Sequence, residues 1–356
     1  MKRHPLKKVL LAPLDWGLGH ATRCIPVVET LLEEGVEVVI AGEGRSLELL
    51  RQEYPSGEFL ELPGYGITYP KEGSLALHML RSIPQILHGI QREHRELQPL
   101  IRKHAIDLVI SDNRFGLYSK QVPCVFMTHQ IFIQAPLGRF LLEQINKRFI
   151  ARHTECWIPD FAGQENLSGM LSHRKVLGAN YHFVGPLSRI QGEIKAPLTK
   201  CDYLVILSGP EPQRTAFEQE ILLQVAELPG TGTVVLGKTD SQECYHIGNA
   251  EVLAHLPASE IRQYLENAGV IICRSGYSSI MDLAAAGKRC VFVPTPGQTE
   301  QEYLAGYHQS KGHCIVQQQR EMDLKIALKE AGSIPGFAGQ QGSRHQLRNR
   351  IRALLR

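Results

Sequence analysis

Two rhythms of apolar and polar positions alternate along the chain. Short apolar runs, "KKVLLAPL", "VEVVIAGEG", "DLVISD", "PCVFMTH" and "ECWIPD", read as strands buried on both faces, where no polar alternation is needed. Helical spacing separates them. In "IPVVETLLEEG", Ile25, Val28, Leu31 and Leu32 share one face and Gly35 supplies the stop. The spacing also predicts a long helix over 75–104, kinked or divided at Pro84, where a backbone donor is lost. The stretch "YHFVGPLSRIQGEIKAPLTKCD" then breaks both rhythms. It is rich in turn residues and reads as a linker.

Beyond it the alternation restarts. "YLVILSG", "GTVVLGK", "AEVLAHLP", "VIICRSG", "RCVFVPTPG" and "HCIVQQQ" are strand candidates, and stretches such as "RTAFEQEILLQVAEL", "ASEIRQYLENAG" and "SSIMDLAAAGK" are helices. Strand and helix alternating twice, with a linker between, predict an α/β protein of two Rossmann-like domains, their parallel sheets facing across a cleft. The expected division is 1–184, a linker over 185–200, 201–340, and a basic helix over 341–356 that packs back on the first domain. A length of 356 residues suits two cores better than one.

Composition narrows the classes. The chain is 43% apolar and 21% charged, which is ordinary for a water-exposed globular protein. A net charge of +3 gives no argument for a nucleic-acid partner. Eight cysteines include no CxxC pair, so neither a zinc ribbon nor a dithiol redox site is indicated, and a reducing compartment is expected. The opening "MKRHPLKKVLLAPLDWG" has an apolar core too short for a signal peptide, interrupted by Pro13 and Asp15. No apolar run reaches the ~20 residues a spanning helix needs. A cytoplasmic protein is expected. No Asp-x-Asp and no cluster with ligand spacing appears, so no metal is expected.

Two stretches carry candidate chemistry. In "LDWGLGHATR", Gly17 and Gly19 follow an apolar run and His20 stands at a helix entrance, where backbone N–H groups greet an anion and a neutral imidazole accepts a proton. The dinucleotide fingerprint wants a third glycine where Thr22 stands; Glu43, after the second strand, would be its ribose acid. A turn with no ligand is the plain alternative. The second stretch, "CRSGYSSIMDLAAAGKRCVFVPTPGQTEQEYLA", places Arg274, Ser275 and Gly276 at a strand end over a helix start, which suits a diphosphate. Asp282 on that helix suits a ribose diol, and Gln298, Gln301 and Glu302 suit sugar hydroxyls. Their plain alternatives are a helix-capping acid and a solvated helix face. Asp112 and His129 follow strands of the first domain and are acceptor-side or base-assisting candidates, each matched by a loop-stabilising reading. Arg214 reads as solvated or as a phosphate partner.

These residues resemble the GT-B glycosyltransferases related to the enzyme that adds N-acetylglucosamine to lipid I in peptidoglycan synthesis. "RSGYSSIMDLAAAG" with "FVPTPGQTEQEY" resembles that family's donor signature, "GLGHATR" its first glycine loop and "FVGPLSR" its interdomain linker. "VILSGPEPQ" stands where a second glycine loop, with Ser208 and Gly209, opens the donor domain, but Pro210, Glu211 and Pro212 depart from the usual glycine-serine-glutamine pattern. The resemblance implies a nucleobase read near Leu256, a ribose on Asp282 (usually glutamate), and a diphosphate near Ser275, Gly276, Tyr277 and Ser278. It puts the sugar on Gln301 and Glu302, where the lipid-I enzyme has two glutamines.

The expected activity is inverting, metal-independent transfer of a hexose, N-acetylglucosamine among the candidates, from a UDP sugar to an acceptor hydroxyl. His20 is the expected base, with Asp112 or His129 as helper. No cofactor beyond the donor is implied. The resemblance further implies a lipid-linked acceptor at the inner face of an anionic membrane. "LALHMLRSIPQILHGIQREHR" and "GRFLLEQINKRFIARH" mix apolar and basic residues as a bilayer contact would, or as helices packed on their own sheet would. The alternatives are a nucleotide-sugar 2-epimerase or hydrolase of the same fold, a non-catalytic nucleotide-sugar sensor, and a dinucleotide oxidoreductase.

Overall fold

Strand β1 (Lys8–Pro13) is buried from Val9 onward, as its unbroken apolar run requires. In the computed structural model, which describes residues 7–66, 75–134, 138–190, 200–209, 211–239, 241–339 and 344–356, this strand lies inside a seven-stranded sheet, between β2 and β4. Around it run α1 (Leu18–Glu33), β2 (Glu37–Gly42), α2 (Gly44–Glu53), β3 (Glu58–Glu61), α3 (Leu75–Lys103), β4 (Leu108–Asp112), β5 (Cys124–Met127), α4 (Arg139–Ile150), β6 (Glu155–Ile158), α5 (Met170–His173) and β7 (Tyr181–Phe183). The strand order is β3-β2-β1-β4-β5-β6-β7, all parallel.

A second sheet follows. Its elements are β8 (Cys201–Ile206), α6 (Gln213–Val225), β9 (Gly232–Val235), β10 (Cys244–Ile247), β11 (Ala250–Leu253), α7 (Ala258–Asn267), β12 (Ala268–Cys273), α8 (Tyr277–Ala286), β13 (Arg289–Phe292), α9 (Thr299–Ser310), β14 (Cys314–Val316) and α10 (Leu324–Ala331). The order is β10-β11-β9-β8-β12-β13-β14, parallel except for the β10–β11 hairpin, whose two-residue turn is Gly248-Asn249. The last helix, α11 (His345–Leu355), lies on α1, where Arg344, Arg348 and Arg352 pair with Glu29, Glu33 and Glu34.

The order of the parallel strands turns back between β1 and β4 in the first sheet and between β8 and β12 in the second. At such a point the flanking connections leave to opposite faces and open a crevice at the strand carboxyl ends. The two crevices face each other across one cavity.

Several expectations need correction. α1 begins at Leu18, not at Ile25, so Gly19 and His20 belong to its first turn; Leu32, placed on its apolar face, is 51% exposed. α3 runs unbroken through Pro84 and Pro99. Tyr181–Phe183, inside the stretch read as a linker, is an edge strand paired with β6. The expected linker residues 191–199 and Pro210 lie outside the described residues.

Candidate active site

Gly17 caps α1 with φ +92°, a conformation that favours glycine, and so the chain turns from β1 straight into the helix. That turn carries His20 over the end of β4, where Asp112 is the last strand residue. His20 Nδ1 lies 2.9 Å from Asp112 Oδ2. Arg23, three residues on and therefore on the same helix face, is buried beside them. Its Nε donates to both Asp112 oxygens at 3.0 and 2.9 Å, its Nη2 contacts Asp112 Oδ1 and sits 2.8 Å from His20 Nδ1, and its Nη1 lies 3.2 Å from His129 Nδ1. His129, after β5, is buried too.

The electrostatics follow from this crowding. Burial opposes the charged form of Asp112, but Arg23 and His20 outweigh it and hold the carboxyl below its usual range. Burial, then the charge of Arg23, lowers the His20 imidazole below its ordinary value against the pull of Asp112. Both shifts favour a neutral imidazole beside an ionised carboxylate.

The second sheet supplies the opposite wall. Gly276 caps α8, and the helix points its N-terminus at the His20 turn: Ser278 Oγ donates to Gly19 O at 2.6 Å. A side chain at position 19 would meet Ser278 Oγ at 3.2 Å, so the close approach uses the glycine. The Tyr277 ring stacks on His129 at 3.9 Å and 4°, and its hydroxyl donates to Pro159 O. From the first turn of α9, Glu300 Oε1 meets His129 Nε2 at 2.8 Å. Burial opposes the Glu300 charge, but His129, then Arg23, holds its carboxyl below the usual range. Between the walls is a cavity of about 240 Å³, lined among others by Gly17, Gly19, His20, His129, Ser208, Gly209, Leu256, Gly276, Ser278, Asp282, Gln298 and Gln301. Asp112 lies one layer behind His20.

Other expected residues serve the frame. Arg274 borders the cavity, but its guanidinium is buried: it donates to Val293 O, Pro294 O, Gln213 O and Gln319, and stacks on Phe217. Ser275 Oγ donates to Gln301 O, and Glu302 accepts from Gly297 N; neither lines the cavity. Gln301 Oε1 accepts from Thr295 N, and its Nε2 donates to Gln298. Arg214 is neither solvated nor free, being buried between Glu211 and Glu218. Glu43 accepts from Gly64 N and braces a loop.

Asp282 is buried, and burial raises its pKa against the pull of Arg189 and Ser188. Oδ1 accepts from Ser188 Oγ at 2.8 Å and Arg189 N at 3.2 Å, and Oδ2 from Arg189 Nε at 3.0 Å. A carboxylate has about four acceptor positions, so one remains, and the residue lines the cavity. Sequence reasoning missed Arg23, Glu300, Arg189 and His255, which also line the cavity. His255 is pushed down to about 4 by burial, with Arg189 and Arg45 adding to it. Among the described residues no three His, Cys, Asp or Glu side chains converge to hold a metal ion.

Two facing parallel sheets with a cleft at their reversal points define the GT-B fold, and comparison with known proteins agrees. The chain superposes on the crystal structure of the kitacinnamycin glycotransferase with TM-score 0.64 at 16% identity, over 99% of this chain and 96% of that one. With MurG of Acinetobacter baumannii the TM-score is 0.54 at 13% identity, over 98% and 94%. Residues 230–332 match the glycosyltransferase family 28 C-terminal domain. By sequence the chain is 23% identical to an uncharacterized glycosyltransferase of Methanosarcina acetivorans, over 86% of this chain and 84% of that protein. It is also 23% identical to the UDP-N-acetylglucosamine--N-acetylmuramyl-(pentapeptide) pyrophosphoryl-undecaprenol N-acetylglucosamine transferase of Anaplasma marginale, over 90% and 88%. The protein is a glycosyltransferase of the GT-B class, and its second half carries a family 28 C-terminal domain.

Proposed function

We propose that the protein transfers a hexose from a UDP sugar, N-acetylglucosamine being the first candidate, to the hydroxyl of a lipid-linked acceptor, with inversion and without a metal. The observation that carries the chemistry is the His20–Asp112 contact on the cavity wall facing the α8 N-terminus. His20 Nε2 takes the acceptor proton. The acceptor oxygen attacks the anomeric carbon from the side opposite UDP, the bond to the diphosphate oxygen breaks, and the anomer inverts. Asp112 steadies the imidazolium that forms. The diphosphate leaves toward Gly276, Ser278, Ser208 and Gly209, where backbone N–H groups and the α8 dipole balance its charge. Leu256 reads the base, Asp282 offers its remaining acceptor position to the ribose, and Gln298 and Gln301 meet the sugar.

The acceptor class rests on a helix built inside out. α4 buries Glu143 and Asn146, which bind Arg174 and the carbonyls of Gln130 and Ile131. Three of its apolar residues face outward, Phe140 at 76% exposed, Leu141 at 64% and Ile145 at 41%, while Ile150 is buried. Arg139 and Arg148 of the same helix are exposed as well. Neighbouring α3 exposes Ile83 and Leu87, and both helices pack on the Leu14–Tyr65–Ile90 cluster, through Ile86 and Phe149. Such a surface suits an anionic bilayer contacted from one side. Among the described residues no helix is long and apolar enough to cross a membrane.

The test is UDP release from UDP-N-acetylglucosamine with and without a polyprenyl-diphosphate sugar acceptor in vesicles, in EDTA. Acceptor-dependent release with a β-linked product is expected. Release without acceptor at the same rate would mark a hydrolase or epimerase, and loss in EDTA restored by magnesium or manganese would overturn the metal-free mechanism.

A further inference from the structure

One imidazole nitrogen in this site has two suitors. His20 Nδ1 is 2.9 Å from an Asp112 oxygen, which only accepts, and 2.8 Å from Arg23 Nη2, which only donates. It cannot satisfy both. With the proton on Nδ1, the ring donates to Asp112 and Nε2 is free to take a proton from the acceptor. With the lone pair on Nδ1, the ring accepts from Arg23, and Nε2 carries the proton and cannot act as base. The tautomer of His20 therefore decides whether the site is competent, and the position of Arg23 decides the tautomer.

Arg23 has a third arm. Its Nη1 is 3.2 Å from His129 Nδ1, and the far nitrogen of that ring is 2.8 Å from Glu300. An ionised Glu300 accepts, so His129 Nε2 carries a proton. A guanidinium only donates, so at 3.2 Å from Arg23 Nη1 the acceptor is His129 Nδ1. We infer that Glu300, delivered from the donor-domain helix α9, is a positioning residue for the catalytic base: through His129 it holds the Nη1 arm of Arg23, which limits how far Nη2 can turn onto His20 Nδ1 and so favours the His20 proton staying on Asp112. Without Glu300 the His129 Nε2–H loses its acceptor, the ring can hold its proton on Nδ1 instead, and Arg23 Nη1 then has no acceptor there, which leaves the guanidinium to His20 Nδ1. The groups facing this chain are Arg23 and Cys24 of α1, Asp112 of β4, Tyr277 of α8, and the two histidines themselves. Only Tyr277 and Glu300 come from the second sheet's domain, so the base is set only when the two domains meet. The inference rests on His20 being the base and deepens that reading.

The experiment uses the full chain, labelled with ¹⁵N in its histidines and saturated with UDP. Long-range ¹H–¹⁵N spectra report each ring's tautomer, and His20 is assigned from the signals lost in His20→Gln. The expected wild-type state is protonated at Nδ1. Glu300→Ala is expected to move the proton to Nε2 and to lower kcat about tenfold to a hundredfold, a part of the ~10²–10⁴ a base supplies, with UDP affinity unchanged. Glu300→Gln keeps an acceptor oxygen and restores the tautomer and most of the rate. His129→Phe keeps the stack on Tyr277, removes both nitrogens, and is expected to give the same shift as Glu300→Ala. An unchanged His20 tautomer in Glu300→Ala overturns the inference, and if UDP affinity falls with the rate there, Glu300 is an interdomain strut. Full turnover in His20→Gln would instead sink the base reading, while the tautomer spectra still decide what Glu300 does.

Discussion

The two walls of the cleft come from the same kind of element and offer opposite chemistry. The first wall presents His20, Arg23, Asp112 and His129, four titratable side chains, of which the last three are buried. The second presents Ser208, Gly209, Gly276 and Ser278, small residues whose backbone and hydroxyls reach the cavity. The difference follows from what each must hold. Moving a proton at neutral pH requires side chains whose charges are set by their neighbours. Receiving a diphosphate requires many N–H groups that do not move, and a helix N-terminus supplies them without burying a counter-charge. On this view the first wall sets rate and the second sets donor affinity. Glu300 and Asp282 are the acids of the second domain that depart from the pattern, and each engages a group outside its own sheet: His129 and the linker residues Ser188 and Arg189.

The sharpest way to break this division is His20→Ala, expected to lower acceptor-dependent UDP release ~10²–10⁴-fold while calorimetric UDP affinity stays put. Asp112→Ala tests the same wall through stability. It leaves Arg23 buried without its counter-charge, so urea unfolding should show a loss of about 3–5 kcal/mol. A smaller effect is expected where the acceptor would arrive. Burying an aromatic or aliphatic side chain is worth roughly 1.5–3 kcal/mol, so Phe140→Glu and Leu141→Glu should each weaken sedimentation with anionic vesicles about tenfold or more. UDP binding should be untouched by either. On the second wall, Asp282→Ala removes at most one charge-assisted bond to the ribose and should cost roughly 1.5–3 kcal/mol of UDP affinity. Unchanged affinity with a lowered melting temperature would leave Asp282 as a linker strut only.

Most of the scaffold was legible because buried parallel strands announce themselves as apolar runs. The start of α1 was hidden by its glycines, which normally signal a loop; here they serve a helix entrance that passes close to Ser278. The β10–β11 hairpin left a readable signal, Gly248-Asn249, between segments only half of which looked like strand. In the site, Asp112 and His129 could be read from strand ends, since residues there face the crevice, and His20 from the glycine turn at a helix entrance. Arg23 could have been found by its three-residue spacing from His20. Glu300 could not: its partner lies 171 residues away, and no local pattern encodes a contact between domains. Arg274 and Ser275 show a related limit. A strand-end position says where a residue is, not which way its side chain turns, and both turn into their own domain.

The central claim is that the proton-moving group belongs to the first wall and takes no part in holding the donor. Its most direct test compares two pH profiles on the intact protein, kcat/KM for the acceptor and the dissociation constant of UDP. A base must be neutral to act, so the rate should fall as pH drops through the His20 pKa, which burial and Arg23 place below the ordinary 6.5. The account predicts that this acid limb appears in kcat/KM, is absent from UDP binding, and disappears from the residual rate of His20→Ala. An acid limb shared by UDP binding, or one that persists in His20→Ala, would contradict it.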